Sequence, residues 1–149
     1  MKCDTKEVQT ALAELFRKQA TLKPFFEMIW PILHRSIMAN FRAGGRPNRW
    51  PYLSDATINA RKKRKTWREG VGSDQPILQE YGKLRESVGS VLSITDTRLE
   101  YGTNDVRAGA LQFGWKKKHL PARPFIMFQD EDIDRVAAMA AGFAFGIKK

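Results

Sequence analysis

From residue 26 to residue 41 the apolar side chains Phe26, Trp30, Leu33, Ile37 and Phe41 recur three or four positions apart. That spacing is the period of an α-helix, and a stripe kept over about four turns commits one whole helix face to burial. It predicts a helix over 24–41. Pro24 suits its first turn, and Pro31 inside it predicts a kink or a later true start. Upstream, Val8, Leu12, Leu15 and Phe16 have the same periodicity. They predict a first helix over 5–20, with Thr5 as its N-cap and a break at 21–24.

Breakers then punctuate the chain. Two Gly and two Pro in AGGRPNRWPYL make 43–53 a loop, and Trp50 and Tyr52 within it are expected to pack down. Ser54 reads as an N-cap and Asp55 suits the helix dipole, so a helix is expected over 55–65. A loop follows at 66–76, the segment with the composition of a mobile one. A short helix is expected over 79–86. Val88, Leu92 and Ile94 alternate in a strand over 87–95, Asp96-Thr97 turns the chain, and Leu99 and Tyr101 alternate in a partner strand over 98–102. A short helix over 105–113, a basic loop over 115–120 and a rigid, extended proline segment over 121–125 come next. A third strand is expected over 125–128.

The last helix is expected over 130–147. Ile133, Val136, Ala137, Ala140, Ala144 and Ile147 line one face, beside Phe143, with acids at its start and Lys148 and Lys149 at its end. The expectation is an α+β fold: two N-terminal helices, a small antiparallel sheet with a β-hairpin, and a C-terminal helix packed on the sheet. At 149 residues the chain is expected to be a single domain over 1–149.

Composition narrows the function classes. No apolar run reaches the ~20 residues of a membrane span, and no stretch is both basic and strongly amphipathic, so no membrane partner is expected. The first residues carry no export signal, and a lone Cys3 fits a reducing cytoplasm. Lys and Arg outnumber Asp and Glu by 26 to 16, a net charge of +10 that points to nucleic acid or acidic protein surfaces as partners.

No catalytic constellation is visible. His34 and His119 have no ligand or acid at metal-binding spacing, so no metal and no cofactor is expected. Gly44-Gly45 lacks the Lys-Ser or Lys-Thr of a phosphate loop. The run Asp130-Glu131-Asp132-Ile133-Asp134 lacks the alternating ligands and turn glycine of a calcium loop, and reads better as helix N-terminal charge. A nuclease would need a metal or general-base cluster that is missing.

Two basic clusters stand out: Arg61, Lys62, Lys63, Arg64 and Lys65, and then Lys116, Lys117 and Lys118, with Trp67 and Trp115 close by. Three readings stay open for them. They are a solvated helix end and loop, a docking site for an acidic protein, or a sequence-independent contact with DNA. Nothing in the chain resembles a module that reads base sequence.

One ordered set of short motifs spans about residues 26–145. Asn40-Phe41 closes the long helix. Gly45-Arg46-Pro47, Trp50-Pro51-Tyr52-Leu53-Ser54 and Arg61-Lys62-Lys63 follow. Then come Ile77-Leu78, Gly82-Lys83-Leu84-Arg85, Tyr101-Gly102-Thr103-Asn104 and Gln112-Phe113-Gly114. Pro121-Ala122-Arg123-Pro124-Phe125 precedes the acidic-start helix. This order resembles the phage virion morphogenesis family, the tail-completion proteins of Mu-like and related contractile-tailed phages. Tyr81 stands where the family usually has Thr, and 105–111 lacks its usual His.

The resemblance implies a small structural subunit of the tail or neck, not an enzyme. It implies a homo-oligomeric ring, a hexamer being one candidate, at the head-proximal end of the tail, supporting head-tail joining. Its expected partners are further copies of itself and tail tube, terminator or head-connector proteins, with transient contact to packaged DNA. Its expected location is the host cytoplasm during assembly and the virion thereafter. Trp50, Pro51, Leu53, Pro121, Ala122, Arg123, Pro124 and Phe125 are its candidate interface or structural motif. The alternative reading is a small non-specific DNA-binding protein.

Overall fold

The computed structural model describes residues 21–65 and 76–144, together with positions 10 and 13. The expected first helix over 5–20, the loop over 66–76 and the end of the last helix lie outside or largely outside these residues. In order, the described elements are α1 (Lys23–Ala43), α2 (Asp55–Lys65), α3 (Lys83–Ser87), β1 (Val91–Ile94), β2 (Leu99–Gly102), α4 (Ala108–Phe113), a 3₁₀ turn (Lys116–Lys118) and α5 (Asp130–Ala144). The fold class is α+β, as expected, with one two-stranded antiparallel hairpin. Among the described residues no helix is long and apolar enough to cross a membrane.

The chain divides into two compact units, residues 1–36, 92–101 and 128–149, and residues 37–91 and 102–127. Helix α1 supplies residues to both.

In the first unit, Leu22, Phe25 and Ile29 of the α1 region are buried with Ala140 of α5. Leu99 of β2 and Val136, Met139 and Phe143 of α5 pack against them, so the C-terminal helix and the hairpin do share a core. Thr21 closes the start of α1. Thr21 Oγ1 accepts from the Lys23 amide at 3.1 Å and donates to Asp96 in the hairpin turn at 2.6 Å. Thr95 N donates to Arg98 O across that turn at 2.8 Å. The Tyr101 hydroxyl bonds His34, and burial pushes its pKa above the usual value.

The acidic start of α5 also behaves as helix chemistry. The Asp132 carboxylate accepts from the Gln129 amide at 3.0 Å and from the Ser36 hydroxyl. The first is the return half of a capping box.

Besides the short helices expected over 79–86 and 105–113, which form only over Lys83–Ser87 and Ala108–Phe113, two expectations need correction. Leu22 just before α1, and Phe25, Ile29, Ser36, Ile37, Asn40 and Phe41 on it, are buried, whereas Phe26 and Trp30 are only half buried. Ser36 and Asn40 are polar yet buried, so a count of apolar residues omits two positions of the buried face. The helix is also continuous across Pro31, so Pro31 does not mark its start.

The second correction is the third strand over 125–128, which does not form. Its backbone groups are taken by the side-chain amides of Asn40 and Gln112 instead of a neighbouring strand.

Candidate functional site

The second unit is organised by its motifs. Phe41, at the end of α1, stacks edge-on to Trp50 at 5.7 Å and tilted against Phe125 at 5.5 Å. The Trp50 indole donates to Pro124 O at 3.1 Å. In return, Arg123 donates from Nε to Pro51 O at 3.0 Å and from Nη2 to Tyr52 O at 3.1 Å. The tryptophan segment and the proline segment, some seventy positions apart in sequence, therefore clasp each other. Rigid prolines in both cut the entropy lost on ordering them.

Side-chain amides hold the rest of the proline segment. Gln112 Oε1 accepts from the Phe125 and Ile126 amides at 3.0 and 3.1 Å, and its Nε2 donates to Ile126 O at 2.9 Å. Asn40 Nδ2 donates to Phe125 O at 3.0 Å and Met127 O at 2.7 Å, while its Oδ1 accepts from Arg46 at 2.9 Å. A carboxamide carries a donor and an acceptor in one plane, as a peptide does, so it can stand in for a strand neighbour.

Glycines complete the motifs. At Gly114, with φ +77°, a Cβ would sit 2.8 Å from Ala122 N and 2.9 Å from Leu120 O. At Gly45, with φ +110°, it would meet Asn48 O at 2.6 Å and Trp50 N at 2.7 Å. Backbone passes backbone at both places, which only glycine permits.

Trp50→Phe tests the clasp. It keeps the ring against Phe41 but leaves the Pro124 carbonyl without its donor, so a loss of about 1–2 kcal/mol is expected in urea unfolding. A loss below about 0.5 kcal/mol would mean that water replaces the indole.

Of the candidate motif residues, Trp50, Arg123 and Phe125 are buried and Pro124 half-buried, so the clasp packs into the second unit. Pro51, Pro121 and Ala122 are exposed and Leu53 half-buried. Among the basic residues, Arg61 points inward and pairs with Glu80 at 3.5 Å. Lys62 and Lys63 are exposed, and the side chains of Arg64 and Lys65 lie outside those described. Lys116, Lys117 and Lys118 are exposed on the 3₁₀ turn, closed by the Trp115–Leu120 bridge, with the Lys118 ammonium 4.4 Å from the Trp115 ring centre.

The clasp forms one wall of a cleft of about 880 Å³ that lies wholly in the second unit. Arg61, Lys83, Arg107, Lys118 and Arg123 line it, against the one acid Glu80. Arg61 is neutralised by Glu80, and Arg107 by Asp105 outside the lining. Hydrogen bonds from the Arg107 side chain hold the Asp105 carboxyl below its usual pKa, and Asp105 raises that of Arg107 in turn. Lys83, Lys118 and Arg123 pair with no carboxylate among the described residues. Burial, and then the charge of Arg61, pushes the Arg123 pKa below its usual value. The apolar walls are open too: Val106 is 96% exposed and Tyr52 84%.

Counted over the full sequence, the second unit holds sixteen Lys and Arg against six Asp and Glu, and the first holds ten against ten. The whole net charge of +10 thus belongs to the second unit. Among the described residues no group of three His, Cys, Asp or Glu could hold a metal ion.

The sequence pattern had singled out the tryptophan and proline motifs without their partners. The roles of Asn40, Gln79 and Gln112 were missed. The signal was present: an Asn on the buried face of an otherwise apolar helix requires partners. Gln79, for its part, donates to Phe41 O at 2.8 Å, satisfying a carbonyl at the end of α1.

Searches of curated proteins and of solved structures gave no significant match. Residues 3–141, however, match the phage virion morphogenesis family. That span contains every element of the clasp and the cleft, so the chain belongs to the phage virion morphogenesis family, a structural family of phage assembly.

Proposed function

We propose that the protein is a tail-completion or neck subunit. It forms a ring at the head-proximal end of the tail and supports the joining of tail to head. The observation that carries this reading is the family match over residues 3–141. The surface of the second unit supports it. Phe113 is 80% exposed, and Val106, 96% exposed, lies on a cleft whose walls mix open apolar groups with cations. Exposed apolar groups rimmed by charge suit protein docking. The partners proposed are further copies of the chain and tail tube, terminator or head-connector proteins.

The test is a phage lysate made without this protein and viewed by negative-stain electron microscopy. Filled heads and separate tails are expected, with joined particles restored when the protein is supplied in trans. A normal yield of joined particles would overturn the reading.

A further inference from the structure

We infer that the basic cleft of the second unit receives the acidic start of α5 from a second copy of the chain. The inference rests on the ring reading above and names the two surfaces that would make its subunit contact.

The charges match in kind and in setting. Asp130, Glu131 and Asp134 are exposed and form no ion pair among the described residues, whereas Asp132 is occupied by its cap and by Ser36. Positions i, i+3 and i+4 share a helix face, so Asp130, Ile133 and Asp134 stand together. Ile133 is 40% exposed, and Phe128 just before the helix 36%. The result is an apolar knob flanked by two carboxylates.

The cleft presents the counterpart. Val106 and Trp115 are open apolar wall, and Lys83 and Lys118 are cations that pair with no carboxylate among the described residues. Its floor holds Arg123, whose buried charge gains from an incoming carboxylate. A volume of about 880 Å³ takes a helical turn's side chains, being at the upper end of the usual pocket range.

The geometry of such a contact has consequences. Cleft and knob are different patches of one chain, so the contact is heterologous, and heterologous contacts close into rings when the rotation allows. It also spends part of the second unit's excess positive charge on the neighbour's acids, easing the self-repulsion of +10 subunits.

The experiment uses the full chain and sedimentation at low and high salt, and compares three samples with the wild type. One carries Lys83→Glu and Lys118→Glu. Another carries Asp130→Lys and Asp134→Lys. The third is their equimolar mixture. The wild type is expected to self-associate at low salt, and each variant alone to lose at least about tenfold in association. The mixture is expected to recover it, because each variant's reversed surface now matches the other's. That recovery also proves both variants folded. The neutral pairs Lys83→Gln with Lys118→Gln, and Asp130→Asn with Asp134→Asn, should weaken association in the same direction.

Reversed variants that associate like the wild type would overturn the inference while leaving the ring itself intact. A mixture that stays dissociated overturns it also. So does a wild type that is monomeric at low salt; the lysate experiment then judges the tail-completion reading separately. If the cleft reversal instead abolishes DNA binding and leaves self-association unchanged, the cleft belongs to nucleic acid and the inference fails.

Discussion

Asn40→Ala is expected to destabilise the protein by about 3–5 kcal/mol. The side chain is fully buried, and its amide satisfies two carbonyls while its oxygen receives Arg46. Each buried polar group left without a partner costs about 1–3 kcal/mol, and the substitution strands at least two. The void adds a smaller cost. The urea midpoint should fall with the slope unchanged, because the same surface is exposed on unfolding. Asn40→Asp should be worse still, since a carboxylate would then face the Phe125 and Met127 carbonyl oxygens. A loss below about 1 kcal/mol for Asn40→Ala would show that water takes over both bonds.

Phe125→Ala is expected to cost a similar amount, about 3–5 kcal/mol, by a different mechanism. The ring is fully buried and stacks on Phe41, which in turn meets Trp50. Removing it opens a cavity where the two motif segments meet. Phe125→Leu, which keeps most of the volume, should cost less than about 1.5 kcal/mol. Because Asn40 binds the backbone of the residue whose ring Phe125→Ala removes, the two losses should not add. A double variant is expected to lose less than their sum by about 1 kcal/mol, and strict additivity would show that the segment is held at two independent points.

How much of this was legible in the sequence depends on how local each cause is. The helix over 55–65 was read to the residue, because a Ser cap and an Asp at the dipole are neighbours of what they stabilise. The Ser54 Oγ does accept from the Thr57 amide at 3.3 Å. The hairpin and its Asp96-Thr97 turn were legible for the same reason, although each strand proved shorter than its alternation. The inward face of α1 was misread at its start, because Phe25 and Phe26 both fit a helical spacing and only packing against Ala140 and Phe143 of α5 selects Phe25 for full burial. The third strand was misread because alternation and prolines indicate extended backbone but not what the backbone bonds to.

The candidate site shows the same division. The sequence singled out both motif segments and both basic clusters as unusual. It could not show that Arg61 turns inward to Glu80 while Lys62 and Lys63 stay outside. Nor could it show that Lys83 and Lys118, thirty-five positions apart, line one cleft.

By itself, then, the sequence determined the α+β class, the capped helix over 55–65, the hairpin turn, the surplus of positive charge, and the ordered motifs that resemble a phage assembly family. These follow from periodicity, local sterics and composition, each acting within a few residues. The tertiary structure alone decided that the tryptophan and proline motifs clasp each other. It decided that two carboxamides replace a strand, and that the whole charge excess falls in one compact unit beside an open cleft. Those outcomes depend on which buried polar groups find partners across long stretches of chain, and a polar group's partner is fixed by where the fold places it.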